Sequence, residues 1–202
     1  MNLSLYTGGF VQTNGYLIEA PSGHILIDAP AGVVAWLDQK GIHPTDVLLT
    51  HQHYDHVESV AALHGLGARI HAFADYSPEL TLEQHARQWG LPIRIEPYEV
   101  NHLLKVDEPL KINGFEIQLA HVPGHSPDSV TFHFPEEGVL FSGDTLFSRS
   151  VGRFDLPGGN GDLLLEGIAA KLLTLPADTR VFPGHGPSTT IGKELKANPY
   201  LA

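Results

Sequence analysis

The chain has 202 residues, 42% of them hydrophobic and 17% charged, with a formal net charge of −11 and no cysteine. That length buries a full apolar core in one domain, or in two tightly packed halves. The acidic balance, with no Lys/Arg cluster, argues against nucleic acid or an anionic membrane surface as partner, and the lack of Cys removes disulfides, thiol nucleophiles and Cys-type zinc sites.

The opening segment, MNLSLYTGGFVQTNGYLIEA, has neither a charged leader nor a long apolar core. No later run is long enough to span a bilayer, so a soluble cytoplasmic protein is expected. Short runs rich in β-branched and aromatic residues, each ended by turn residues, predict strands at 15–19, 24–28, 46–49, 69–73, 115–119, 129–134, 138–142 and 180–182. Helical periodicity is predicted over 33–39, 57–64, 81–89 and 162–175. Some strands alternate and others are continuously apolar, which marks burial on both faces. Strands dominate first and then alternate with helices in both halves, a pattern that fits two β-sheets packed together with helices outside. No repeat, linker or composition shift divides the chain, so residues 1–202 are read as one domain.

Four of these strands run into turns that carry metal-binding chemistry. Val47-Leu48-Leu49 leads into THQHYDH, with His51, His53, Asp55 and His56. The strand at 115–119 leads into AHVPGHSPDS, with His121 and His125; the strand at 138–142 leads to Asp144; the strand at 180–182 leads into PGHGP, with His185. Polar groups at the same end of several strands converge on one sheet edge, where sites commonly lie. Imidazole and carboxylate ligands suit zinc, manganese or iron. Seven ligands, His51, His53, Asp55, His56, His125, Asp144 and His185, are too many for one tetrahedral ion and fit two that share a carboxylate and a solvent oxygen. Four such groups on one turn would make a poor core and an odd surface, and this strong cluster lends weight to the three weaker ones. Of the two middle histidines, His125 suits a ligand because Gly124 precedes it past the strand end, whereas His121 fits a supporting donor. Other motifs fail: GPSTTIGKE lacks the spacing and the Ser/Thr of a phosphate loop, and neither a G-x-S-x-G elbow nor H-E-x-x-H occurs.

The turn THQHYDH resembles the T-H-x-H-x-D-H signature of the metallo-β-lactamase superfamily, and PGHS, SGDTLF and PGHGP follow in that family's order. SVGRFDLPGG at 150–159 and the closing GHGPSTTIGKELKANPYL resemble the compact glyoxalase II-like hydrolases, so the likeness covers nearly the whole chain. It implies an α+β, four-layer αβ/βα sandwich with metals at one edge of the β-layers. It implies His51, His53 and His125 on one ion, Asp55, His56 and His185 on the other, and Asp144 bridging. Asp28, in ILIDAP, resembles the supporting aspartate of the family, although the usual D-P-G reads Asp28-Ala29-Pro30 here. Arg153 and Asp155 would border the site and fix its loop.

The resemblance further implies two divalent ions, zinc first with iron or manganese as alternatives, and a small-molecule thioester substrate of the hydroxyacylglutathione type. A solvent hydroxide between the ions would attack the thioester carbonyl, with Asp55 and Asp144 as the catalytic carboxylates. A thiolate with a parent pKa of ~8.5 leaves without a strong acid. Secreted β-lactamases of the superfamily commonly use a Cys ligand, which this chain lacks. Two rivals share the motifs. One is a mononuclear iron dioxygenase acting on persulfides, with iron on His51, His125 and Asp144. The other is a non-catalytic module that keeps its ligands for stability.

Overall fold

The computed structural model describes residues 1–201. Two compact units divide the chain between Leu104 and Lys105. The first is built on a six-stranded sheet in the order β1 (Asn2–Gly8), β2 (Thr13–Ala20), β3 (Gly23–Ile27), β4 (Asp46–Leu48), β5 (Arg69–Ala72) and β6 (His102–Leu103). The first three strands are antiparallel, and β3 to β6 run parallel. Parallel neighbours need crossovers. These contain α1 (Val33–Lys40), then α2 (Tyr54–Val57) and α3 (Val60–Gly65), then α4 (Pro78–Thr81) and α5 (Glu83–Gln88). Leu26, Val47 and Ile70 of the sheet share one apolar core with Val33, Leu37, Val60 and Leu63 of the helices. Ile25, Ile27 and Leu48, of the opposite parity, are buried as well. The continuous apolar runs therefore are strands covered on both faces.

Two of the predicted helices are broken, each for a local reason. The run at 57–64 is split between α2 and α3, where Ser59 gives its N–H to the Ala29 carbonyl (3.0 Å) and its hydroxyl to the Pro30 carbonyl (2.9 Å). Tying Ser59 to the segment after β3 competes with helix continuation. The run at 81–89 is interrupted at Leu82, whose φ of 54° is left-handed, and α4 begins earlier, capped by Ser77 with Pro78 in its first turn.

The second unit carries a six-stranded sheet made of β7 (Leu110–Ile112), β8 (Phe115–His121), β9 (Val130–Phe134), β10 (Val139–Gly143), β13 (Arg180–Pro183) and β14 (Thr189–Thr190). A separate hairpin, β11 (Leu146–Phe147) with β12 (Ser150–Val151), leaves the sheet after β10. The β10–β13 pair is parallel, and its crossover contains α6 (Gly161–Gly167), capped by Asn160, which accepts the Leu163 N–H at 3.1 Å. The helix predicted to 175 widens into a π-helical turn at Ile168–Leu172. Val122, Leu140, Leu164, Ile168, Val181 and Ile191 form the apolar core of this unit. The shortest strands, two residues each at β6, β11, β12 and β14, are too brief to carry a periodic signal.

The closing segment forms α7 (Ile191–Ala197), which sequence periodicity did not reveal. Its Glu194 is buried and accepts hydrogen bonds from the Thr189 hydroxyl, the Arg149 N–H (2.7 Å) and Asn198 Nδ2 (2.9 Å). Asn198 Nδ2 also donates to the Ser150 carbonyl at 3.0 Å. This pair staples the β11–β12 turn, where Arg149 sits at a left-handed φ of 60°. Hydrogen bonds to a buried charge are each worth ~1.5–3 kcal/mol and are not additive. Glu194→Ala strands three donors at once and is expected to lower the unfolding free energy by about 3 kcal/mol. Urea unfolding beside the exposed-site control Glu166→Ala, expected within ~0.5 kcal/mol of wild type, measures the difference.

Candidate metal centre

In the first unit the cluster grows from the C-terminal end of β4. Beyond β4 the chain bends at Thr50 and then enters α2, with His53 as its N-cap residue. Gln52 is buried. It donates to the Ala74 and Asp75 carbonyls at 3.1 Å and accepts from the Tyr98 hydroxyl at 2.9 Å, anchoring the turn. The His51 ring lies 4.6 Å from the ring of His53 and 4.1 Å from that of His56, centroid to centroid.

Asp28 organises these rings. It is buried at a left-handed φ of 56°. Its Oδ1 accepts the Thr50 N–H at 2.8 Å, and its Oδ2 faces the Thr50 hydroxyl at 2.7 Å and His56 Nδ1 at 2.8 Å. A carboxylate only accepts, so His56 carries its proton on Nδ1 and presents Nε2 as a lone pair. The single Thr50 proton is spent on Asp28. His51 Nδ1, 3.1 Å from Thr50 Oγ1, is therefore a donor too, and its Nε2 is likewise set as a ligand atom. Asp55 is held from another direction: its Oδ2 accepts the Thr13 hydroxyl at 2.6 Å.

In the second unit His125 Nδ1 donates to the Arg153 carbonyl at 2.7 Å, which again leaves Nε2 for a ligand. The loop from 150 to 155 thus reaches His125 through its backbone. Gly152 permits the approach, since a Cβ there would fall 1.8 Å from the Asp144 carbonyl oxygen; Gly124 lets the chain before His125 pack on the start of α6, where a Cβ would fall 2.4 Å from the Asn160 carbonyl oxygen. The Arg153 guanidinium holds Asp155 by two bonds of 2.8 Å on the surface, keeping that carboxyl down at about 2. His121 donates from Nε2 to the Pro127 carbonyl at 2.8 Å, bracing the loop that bears His125.

The donor spacing fits a metal. Asp144 Oδ2 lies 3.4 Å from His125 Nε2 and 3.3 Å from His185 Nε2, and Asp55 Oδ2 lies 3.4 Å from His56 Nε2. Bonds of ~2.0–2.2 Å in a tetrahedron place ligand atoms about 3.3–3.6 Å apart. The structure brings His51, His53, Asp55, His56 and Asp28 together in one unit, and His125, Asp144, His185 and the Arg153 carbonyl in the other.

Sequence reasoning missed three residues here. Thr50 was read only as part of a signature, and its relay role needs Asp28 beside it. Thr13 is 42 residues from Asp55 and has no local signal. Glu58 is half-buried, and burial first and the Asp55 charge second push its carboxyl up to about 7.

Comparisons place this geometry among known proteins. A family model described as the metallo-beta-lactamase superfamily matches residues 8–185. Hydroxyacylglutathione hydrolase GloC of Haemophilus influenzae is 32% identical, over 100% of this chain and 98% of its own. The crystal structure of TTHA1623 in a di-iron-bound form is 41% identical with a TM-score of 0.86, over 98% of this chain and 100% of that one. The crystal structure of BLEG-1 B3 metallo-beta-lactamase is 36% identical with a TM-score of 0.89, over 99% of both chains.

Asn tolerates the left-handed φ at position 28 but cannot accept from every donor that Asp28 serves. Asp28→Asn is expected to weaken metal retention by about 10–100-fold, read by chelator competition on the folded protein. Glu58 supplies a pH test on the metal-free protein. Its folded-state pKa of about 7 lies above the ordinary 4.5, so its penalty is absent below pH 4.5, grows through that window and is complete above 7. Glu58→Gln is expected to melt higher than wild type at pH 8, with the gap closing towards pH 4.5.

Proposed function

The chain belongs to the metallo-beta-lactamase superfamily, and from that premise we propose a dinuclear metal-dependent hydrolase of thioesters, of the hydroxyacylglutathione type. In this reading His51, His53 and His125 hold one ion, Asp55, His56 and His185 hold the other, and Asp144 bridges. The observation that carries it is the single carboxylate oxygen of Asp144, set 3.4 and 3.3 Å from the Nε2 atoms of His125 and His185. Each proposed ion would take one of those imidazoles, and Asp144 would serve both. Full-length similarity to a hydroxyacylglutathione hydrolase and to a di-iron-bound structure supports the same reading.

Two divalent ions bound there would supply Lewis acidity, lowering the pKa of water and polarising a carbonyl. The chain's own residues do the rest. Asp28 and Thr50 fix His51 and His56 as Nε2 donors, and the Arg153 carbonyl does so for His125. Thr13 orients Asp55, which takes up the proton of the attacking water. The departing thiolate needs no strong acid, since its parent thiol has a pKa of ~8.5. The His-rich set suits zinc, with iron or manganese as alternatives. Action in the cytoplasm on a small molecule completes the reading; no helix among the described residues is long and apolar enough to cross a membrane.

Metal content and S-D-lactoylglutathione hydrolysis, measured on one sample, test this. Two metal equivalents and turnover lost on chelation are expected. His185→Ala should fall to about one equivalent with at least ~100-fold lower turnover, and Asp144→Ala should lose several orders of magnitude. A single iron, oxygen uptake with a persulfide and an intact metal in His185→Ala would establish the dioxygenase instead. The likeness to BLEG-1 supports a β-lactam arm: nitrocefin turned over faster than the thioester would move the substrate class to cyclic amides.

A further inference from the structure

Hairpin β11–β12 and helix α7 border a cavity of about 320 Å³, lined by Ser148, Arg149, Thr189, Lys193, Glu194 and Lys196. Its charge is unusual for this protein. The chain has twelve Lys and Arg against 23 acidic residues. Six of the twelve are in ion pairs with carboxylates: Arg69, Arg87, Arg94, Lys105, Lys111 and Arg153. Lys40 and Arg180 lie over the rings of Trp36 and Phe182, and Lys171 donates to the His121 carbonyl. The remaining three, Arg149, Lys193 and Lys196, have no such side-chain partner among the described residues, and all three line this one cavity. The carboxylate beside them, Glu194, is 1% exposed and already accepts from Thr189, Arg149 N–H and Asn198.

The cavity also lies close to a proposed ligand. Ser148 follows Phe147, whose ring centroid is 6.2 Å from that of His185. Thr189 is four residues beyond His185, at most about 14 Å away along an extended chain. A molecule whose thioester sat beside His185 would need an arm no longer than that to place a charged end here.

We propose that this cavity binds the anionic terminus, a carboxylate or a phosphate, of the thiol carrier. The inference rests on the thioester reading and adds the chemistry of the carrier. A protein of net charge −11 repels an anionic substrate at long range. Three unsatisfied cations around one concavity reverse the field locally, and Ser148 and Thr189 add hydroxyl groups to the wall. Glutathione presents carboxylates and coenzyme A presents phosphates, so the two carriers separate the sources.

The test compares wild type with the triple variant Arg149→Gln/Lys193→Gln/Lys196→Gln. A charge-matched control, Arg94→Gln/Lys105→Gln/Lys111→Gln, removes three exposed cations elsewhere. Binding of S-methylglutathione and of S-methyl coenzyme A is measured by calorimetry, independently of turnover. Kinetics follow with D-lactoyl thioesters of glutathione, coenzyme A and the neutral carrier N-acetylcysteamine. At least a tenfold rise in Kd and KM for one anionic carrier is expected in the triple variant, with its kcat/KM advantage over the neutral carrier reduced accordingly. The wild-type advantage should shrink with added salt, and the control should keep it. The carrier that loses more identifies carboxylate or phosphate. Equal losses on charged and neutral carriers, or none, overturn the cavity assignment while leaving the hydrolase intact. If wild type hydrolyses no thioester, the functional reading falls separately; the cavity then stands as an anion site only if calorimetry shows the tenfold loss, and falls if it does not.

Discussion

A single buried carboxylate sets the hydrogen-bond state of the histidine cluster in the first unit. Asp28 has no proton to give, so every group that touches it must donate: the Thr50 N–H, the Thr50 hydroxyl and His56 Nδ1. That one-way demand propagates through Thr50 to His51, which must donate in turn. Two imidazoles are thereby held with Nδ1 donating and the Nε2 lone pair presented, the form a metal ligand would need. Asp28 holds this place at a left-handed φ, kept there by a backbone latched on both sides. Its N–H binds the Leu48 carbonyl at 3.0 Å, and the Ala29 N–H binds the His56 carbonyl at 2.8 Å. The same latch draws Ser59 to the Ala29 and Pro30 carbonyls and breaks the helix after Val57. The shortness of α2 is therefore part of how the ligand turn is held.

The second unit reaches the same end with a backbone carbonyl instead of a carboxylate. His125 is oriented by the Arg153 oxygen, so what matters is where the loop main chain runs. That path depends on close packing at Gly152 and on the turn of the β11–β12 hairpin. The turn depends in its own right on Glu194 and Asn198 of the closing helix. A residue remote in sequence from His125 thus positions it through a hairpin, a glycine contact and one hydrogen bond. In this chain the two units supply different partners to their imidazoles, a carboxylate to His56 and a backbone carbonyl to His125.

Charge is distributed with similar economy of purpose. Most cations are occupied by carboxylates, rings or a carbonyl, which leaves the surface acidic. Glu194 accepts from the Thr189 hydroxyl, the Arg149 backbone N–H and Asn198, and forms no ion pair with the Arg149, Lys193 or Lys196 side chains. The staple that fixes the hairpin and the cation-lined cavity share the helix α7 and its Glu194.

The sequence by itself determined the chemical inventory. Four histidine- or aspartate-bearing turns after apolar runs name the seven candidate ligands, because ligand chemistry is a property of side-chain type and strand ends are legible from local patterning. Most strands were legible for the same reason. The strands β1 and β7, the breaks after Val57 and at Leu82, the helix α7 and the two-residue strands were not; the break after Val57 goes with bonds to a distant segment, and the two-residue strands are too short to show a period. Only the tertiary structure decided which nitrogen of His51, His56 and His125 is engaged by the protein, that Thr13 and Thr50 contact Asp55 and His51, and that Arg149 lines one cavity with Lys193 and Lys196. Those outcomes depend on contacts between residues far apart in the chain, and hydrogen-bond polarity and charge clustering exist only once folding has brought the partners within a few ångströms.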